Sequence, residues 1–135
     1  IKDILFHIKV GGEKLIDVLT LCRKYDIENS VVFGVGNLAD VKIVKEFNSN
    51  IKVLAFFYDI ERMQEYADLG ADFIRLWEGW MTEENIANVH KTGKELWIMA
   101  CENGNLGYTN PENIDVWQKM GVDAILVNDV CIYLS

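Results

Sequence analysis

The sequence predicts an α/β fold, a partial TIM (β/α)8 barrel of about six βα units, on three observations. Apolar runs begin near residues 4, 31, 53, 73, 96 and 124, an interval of roughly 20 to 28 residues that fits one strand, one helix and two short loops. Amphipathic stretches fill the spaces between them. Gly70, Gly93 and Gly121 stand just past three of those stretches, where a left-handed cap turns a chain out of a helix and into the next strand.

The strands are short runs rich in β-branched and aromatic residues. They are Ile4 to Val10, Val31 to Val35, Val53 to Phe57, Phe73 to Trp77, Leu96 to Cys101 and Ala124 to Val127. Continuous apolar runs without strict alternation predict strands buried on both faces.

The first helix spans Lys14 to Tyr25, with Leu15, Val18, Leu19 and Cys22 on one face. The second follows a cap at Asn37 and carries Val41, Val44 and Phe47. Ile60, Met63, Tyr66 and Ala67 line the third. Thr82 caps the fourth, whose early Glu83 and Glu84 suit the positive end of the helix dipole and whose face is Ile86, Val89 and His90. Asn110-Pro111-Glu112 opens the fifth, with Trp117 and Met120 on its face.

Strict β-α alternation with short loops gives a parallel sheet with right-handed crossovers. A doubly wound open sheet and part of a barrel both satisfy it. A barrel typically needs about 250 residues, so these 135 residues form a single incomplete barrel domain, 1–135. An unclosed barrel leaves strand edges unpaired, and the expectation is self-association or dependence on the missing units.

Half the residues are apolar, and ten Gly against a single Pro leave no room for a long disordered linker. The formal charge of -8 repels a nucleic-acid backbone, so no nucleic-acid partner is expected. No apolar run approaches the ~18 residues of a membrane span. Cys22, Cys101 and Cys131 are too widely spaced for a zinc pattern and read as buried free thiols. The chain opens on Ile1, as a trimmed or processed terminus would, and a cytoplasmic location is the expectation.

In either architecture ligands gather at the carboxyl ends of the strands. The residues placed there are Lys9, Asp59, Trp77, Glu78, Glu102, Asn103, Asn128 and Asp129. Such a rim of carboxylates and amides with one Lys suits a hard cation and a phosphate, and equally an ordinary solvated loop surface. Gly34-Val35-Gly36 offers a weak dinucleotide fingerprint with Ala39 and Asp59, and tight-turn geometry is the plainer cause. His90 reads as structural. His7 shares strand parity with Lys9, so both point to one side, His7 being either a functional imidazole or a satisfied core group. Trp97 and Trp117 read as core, Trp80 as a binding residue in a loop.

Three stretches resemble the C-terminal part of glycerophosphodiester phosphodiesterases, strands three to eight of a (β/α)8 barrel. Leu5-Phe6-His7-Ile8-Lys9 is similar to the family's I-E-I-K segment. Asn88 to Trp97 is similar to its h-x-x-G-x-x-v approach to the seventh strand, and Met120 to Leu126 to its G-V-D-G-I at the eighth.

The resemblance implies metal-assisted hydrolysis of a small-molecule glycerol phosphodiester in lipid metabolism, with a divalent ion such as Mg or Ca as cofactor. It assigns Lys9 to phosphate neutralisation, Glu78 and Trp80 to the substrate wall, and His7 to the metal in place of a carboxylate. The family's acid/base histidines and two further carboxylates would precede Ile1, so the chain alone is expected to be inactive. Met99-Ala100-Cys101-Glu102 replaces the family's W-T-x-N, and Val127-Asn128 its T-D. These departures favour the alternative of a non-catalytic binding module. An open-sheet small-molecule binder is the third reading.

Overall fold

The computed structural model describes residues 4–9, 11–100 and 111–127. Its strands are β1 (Ile4–His7), β2 (Val31–Val35), β3 (Lys52–Ala55), β4 (Phe73–Arg75), β5 (Glu95–Ala100) and β6 (Ala124–Val127). Its helices are α1 (Glu13–Lys24), α2 (Leu38–Phe47), α3 (Met63–Asp68), α4 (Glu83–Lys91) and α5 (Ile114–Lys119), with single 3-10 turns at Glu28–Ser30, Ile60–Arg62, Glu78–Trp80 and Pro111–Asn113. The strands are hydrogen-bonded in the sequential order β1-β2-β3-β4-β5-β6. A doubly wound sheet reverses its order at a switch point, and this one does not. The fold is α/β, a partial (β/α) barrel.

The chain resolves into two compact units, Ile1–Ile74 and Arg75–Ser135. In the first, β1 pairs with β2, β2 with β3 and β3 with β4, all parallel. Leu15, Leu19 and Cys22 of α1, Val41 and Val44 of α2 and all but Gly34 of β2 supply apolar core side chains, together with Val53 and Leu54 of β3. Each such Leu or Phe contributes about 1.5–3 kcal/mol by leaving water. The Arg23 guanidinium lies 3.8 Å from the Phe47 ring centroid and donates to the Phe47 carbonyl at 3.0 Å, tying the end of α1 to the end of α2. In the second unit β5 pairs with β6 in parallel register. Its core holds Leu76, Ile86, Val89, Leu96, Ile98 and Trp117.

The expected caps form. Asn37 accepts from the Asp40 amide at 2.9 Å and Thr82 from the Asn85 amide at 3.2 Å, each satisfying a donor that the first turn of a helix leaves orphaned. Gly70, Gly93 and Gly121 have φ of 96°, 73° and 94°, values at which a Cβ is strained. The glycine stops read from the sequence are borne out.

Several boundaries differ from expectation. β1 ends at His7, and Lys9 lies in a bend beyond it, so the strand alternation that put His7 and Lys9 on one side does not reach Lys9. β3 and β4 likewise stop at Ala55 and Arg75. Pro111 opens a 3-10 turn and α5 follows from Ile114. Only β2 is buried at every position; β1 and β6 are half-covered, because they stand at the two ends of the strand order. Gly34 and Gly36 are not among the positive-φ residues, so tight-turn geometry is not their reason. A Cβ on Gly34 would sit 2.7 Å from Phe56 Cε2, and the glycine is there for close packing.

Candidate functional site

The first unit gathers polar groups where β1, β2 and β3 end. His7, the last residue of β1, is exposed and stacks face to face on Phe56, with ring centroids 4.3 Å apart and planes 8° apart. The missing Cβ of Gly34 makes room for that Phe56 ring. Lys9 follows, exposed, and has no hydrogen-bond or ion-pair partner among the described residues.

The loop after β1 is fastened by Asp40 of α2, which is 5% exposed. Its carboxylate accepts from the Gly12 amide at 3.3 Å and from Asn37 Nδ2 at 2.7 Å. A Cβ on Gly11 would run into that carboxylate, so the Gly11-Gly12 pair lets the backbone approach a buried acid. Buried charge needs such partners.

Beyond β2 and β3 lies a cleft of about 240 Å3 lined by Gly36, Asn37, Phe57, Tyr58, Asp59, Arg62 and Tyr66. Phe57 and Tyr66 are buried with ring centroids 5.0 Å apart, and the Tyr66 hydroxyl donates to the Gly36 carbonyl at 3.3 Å. Burial pushes the Tyr66 phenol up, the Arg62 charge opposing it. Arg62 Nε and Nη2 donate to the two Glu65 oxygens, each at 3.0 Å. That fork holds the Glu65 carboxyl below the usual range and raises Arg62. Asp59 Oδ1 accepts from the Glu61 amide at 3.1 Å.

In the second unit Arg75 is fully buried, its guanidinium 3.5 Å from the Trp77 ring centroid. Trp80 meets Trp77 edge-on at 6.4 Å, and its carbonyl accepts from Asn85 Nδ2 at 2.9 Å. Glu78 opens the same 3-10 turn and is half-buried. Two expected site residues, His7 and Lys9, thus lie in the first unit, and Glu78 and Trp80 share one turn of the second. Glu102, Asn103, Asn128, Asp129, Cys101 and Cys131 lie outside the described residues. Cys22 is a buried free thiol, pushed up by desolvation and by the Glu28 charge. His90 pairs with Asp123 at 3.1 Å, in keeping with a structural role.

Among the described residues no three of His, Cys, Asp and Glu converge as a metal site. A hard cation takes oxygen ligands, and the donor at the end of β1 is the His7 imidazole, so these residues do not fit Mg or Ca by themselves. Sequence reasoning passed over Arg75 and Asp40. A lone charge inside the apolar run Phe73-Ile74-Arg75-Leu76-Trp77 was the available signal for Arg75. Asp40 stands three residues after its cap partner Asn37, but its bond to Gly12 spans 28 residues and left no mark in the sequence.

Neither a family model nor a curated protein matches the chain. Solved structures do. A protein named as a glycerophosphodiester phosphodiesterase from Galdieria sulphuraria superposes with a TM-score of 0.75 at 15% identity, over 93% of this chain and 53% of that one. A glycerophosphoryl diester phosphodiesterase from Parabacteroides distasonis gives 0.68 at 20% identity, over 93% and 46%. Oxaloacetate acetylhydrolase gives 0.64 at 18%, over 96% and 53%. The chain therefore spans about half the length of each, and at these identities the likeness shows the fold alone.

Proposed function

We propose that the protein to which these βα units belong hydrolyses glycerol phosphodiesters, releasing glycerol phosphate and an alcohol, in the turnover of lipid-derived diesters. One observation carries the reading: Lys9, an exposed cation with no partner among the described residues, stands just past the carboxyl end of a parallel strand. The similarity to solved phosphodiesterase structures supports it.

In this reading the Lys9 ammonium neutralises a phosphoryl oxygen as negative charge builds there in the transition state. An acid/base pair passes protons between the glycerol hydroxyl and the departing alcohol, and water completes the hydrolysis. Glu78 and Trp80 are proposed as substrate contacts from their own turn. A divalent ion is the cofactor the resemblance implies, and the described residues do not form its site.

The His7 imidazole, where the resemblance implies a carboxylate, favours a second reading, a module that binds a phosphodiester without turning it over. An assay of the whole protein with glycerophosphodiesters, with and without a chelator, separates the two. Lys9→Ala is expected to lower turnover about 100-fold or more with the fold intact. Unchanged turnover rejects the role of Lys9. Diester binding that Lys9→Ala weakens, with no turnover in the unsubstituted protein, establishes the module.

A further inference from the structure

We propose that Arg75 is a positioning residue for the substrate wall. It holds the Trp77 ring so that Trp77, Glu78 and Trp80 present one surface to the glycerol end of a diester, a role that rests on the hydrolytic reading.

Among the described residues only Arg75 and Asp40 are both charged and buried, and Arg75 is fully so. The Leu76 amide donates to the Trp97 carbonyl at 3.3 Å. That parallel pairing sets Arg75 beside Trp97 and Trp77 beside Met99 on one face of the sheet. Leu76, Leu96 and Ile98, on the opposite face, are fully buried, whereas Trp77, Trp97 and Met99 are half-buried. A cation is therefore enclosed on the more open face, at the carboxyl end of β4, the end where (β/α) barrels bind their ligands.

Stability does not call for a charge there. Taking one out of water is costly, and an apolar side chain of similar volume often serves a core as well or better. What the guanidinium supplies is direction. It lies 3.5 Å from the Trp77 ring centroid, a stack that strengthens where water is excluded. Trp80 meets the same ring edge-on, with planes at 89°. The Trp80 amide closes the turn on the Trp77 carbonyl at 2.8 Å, and Asn85 Nδ2 anchors the Trp80 carbonyl at 2.9 Å. Two indoles thus stand at right angles, with the Glu78 carboxylate between them in the turn. C–H groups of glycerol pack on indole surface and its hydroxyls donate to a carboxylate.

The test uses the whole protein and steady-state hydrolysis of glycerophosphocholine. Arg75→Met keeps much of the volume and removes the charge. It should leave the melting temperature unchanged and raise KM about tenfold while kcat holds. Arg75→Lys should recover part of the loss. If Arg75→Met does not fold, Trp77→Leu, at a half-buried position, carries the same expectation. A fall in kcat alone, an unchanged KM, or no recovery in Arg75→Lys overturns the proposal. If the unsubstituted protein turns nothing over, the hydrolytic reading fails by itself, and the comparison moves to glycerophosphocholine binding read by tryptophan fluorescence. Weaker binding in Arg75→Met then upholds the positioning role, and equal or absent binding overturns it.

Discussion

The corner entering β4 and the corner entering β6 are built to one plan, one in each unit. In both, a helix ends at a positive-φ glycine, Gly70 or Gly121, and an aspartate two residues on, Asp72 or Asp123, stands immediately before the next strand. The aspartate amide donates to a carbonyl at the start of the preceding strand, Val53 or Leu96, at 2.9 Å in each case. Its carboxylate accepts from the amide of that same residue, at 2.9 Å from Val53 and 2.7 Å from Leu96. The helix before that strand then supplies a basic side chain to the carboxylate, Lys45 at 2.7 Å or His90 at 3.1 Å.

The difference lies in the base. Lys45 is 13% exposed and also donates to the Ile51 carbonyl at 2.7 Å, with Lys52 as a second cation on Asp72. His90 and Asp123 are each 39% exposed. The first corner encloses its ion pair, and the second leaves its hydrogen-bonded pair partly in water, where even a charged pair is worth about 0–1 kcal/mol. One plan therefore yields clasps of unequal strength.

The comparison breaks most visibly at the aspartates. Asp72→Ala should cost about 2–3 kcal/mol, because it strands the Val53 amide and a mostly buried ammonium. Asp123→Ala should cost about 1–2 kcal/mol, since water replaces it more readily. Urea unfolding of the two variants checks the order, and equal losses would show that the enclosure of Lys45 contributes nothing.

A finer test lies at the glycines. Alanine at either is expected to cost about 1–2 kcal/mol for its backbone conformation alone. A Cβ at Gly121 would also meet His90 Cε1 at 3.1 Å, whereas at Gly70 it would touch the Lys45 stem at 3.6 Å. Gly121→Ala should therefore be the worse of the two by a few tenths of a kcal/mol, as read from melting temperatures.

The smallest effect expected is alkaline. Burial raises Tyr66 and Cys22, both in the first unit. The unfolded chain then loses those protons first, so stability is unaffected below the ordinary thiol and phenol ranges and falls as pH rises through and past them. Residue-by-residue hydrogen exchange should show the loss in the first unit, and Tyr66→Phe should reduce it.

Much of the architecture was legible because it depends on local chemistry. The apolar runs, the caps at Asn37 and Thr82 and the glycine stops each act within a few residues, so spacing alone located them. The turn at each of these glycines was visible too. Its clasp was not, since Val53, Leu96, Lys45 and His90 lie 19 to 33 residues from the acids they meet. The site was read less well for the same reason. Lys9 and His7 could be placed at the end of a strand, but the stack on Phe56 and the cleft of Arg62 and Asp59 depend on neighbouring strands.

By itself, then, the sequence determined the alternation of strand and helix and the caps and glycine stops of the helices, because backbone propensity and capping are settled between near neighbours. Tertiary structure alone decided the sequential strand order, the enclosure of Arg75, Asp40 and Lys45, and which polar groups share a cleft. Those outcomes depend on which surfaces meet, and desolvation of a charge is set by atoms distant in the chain.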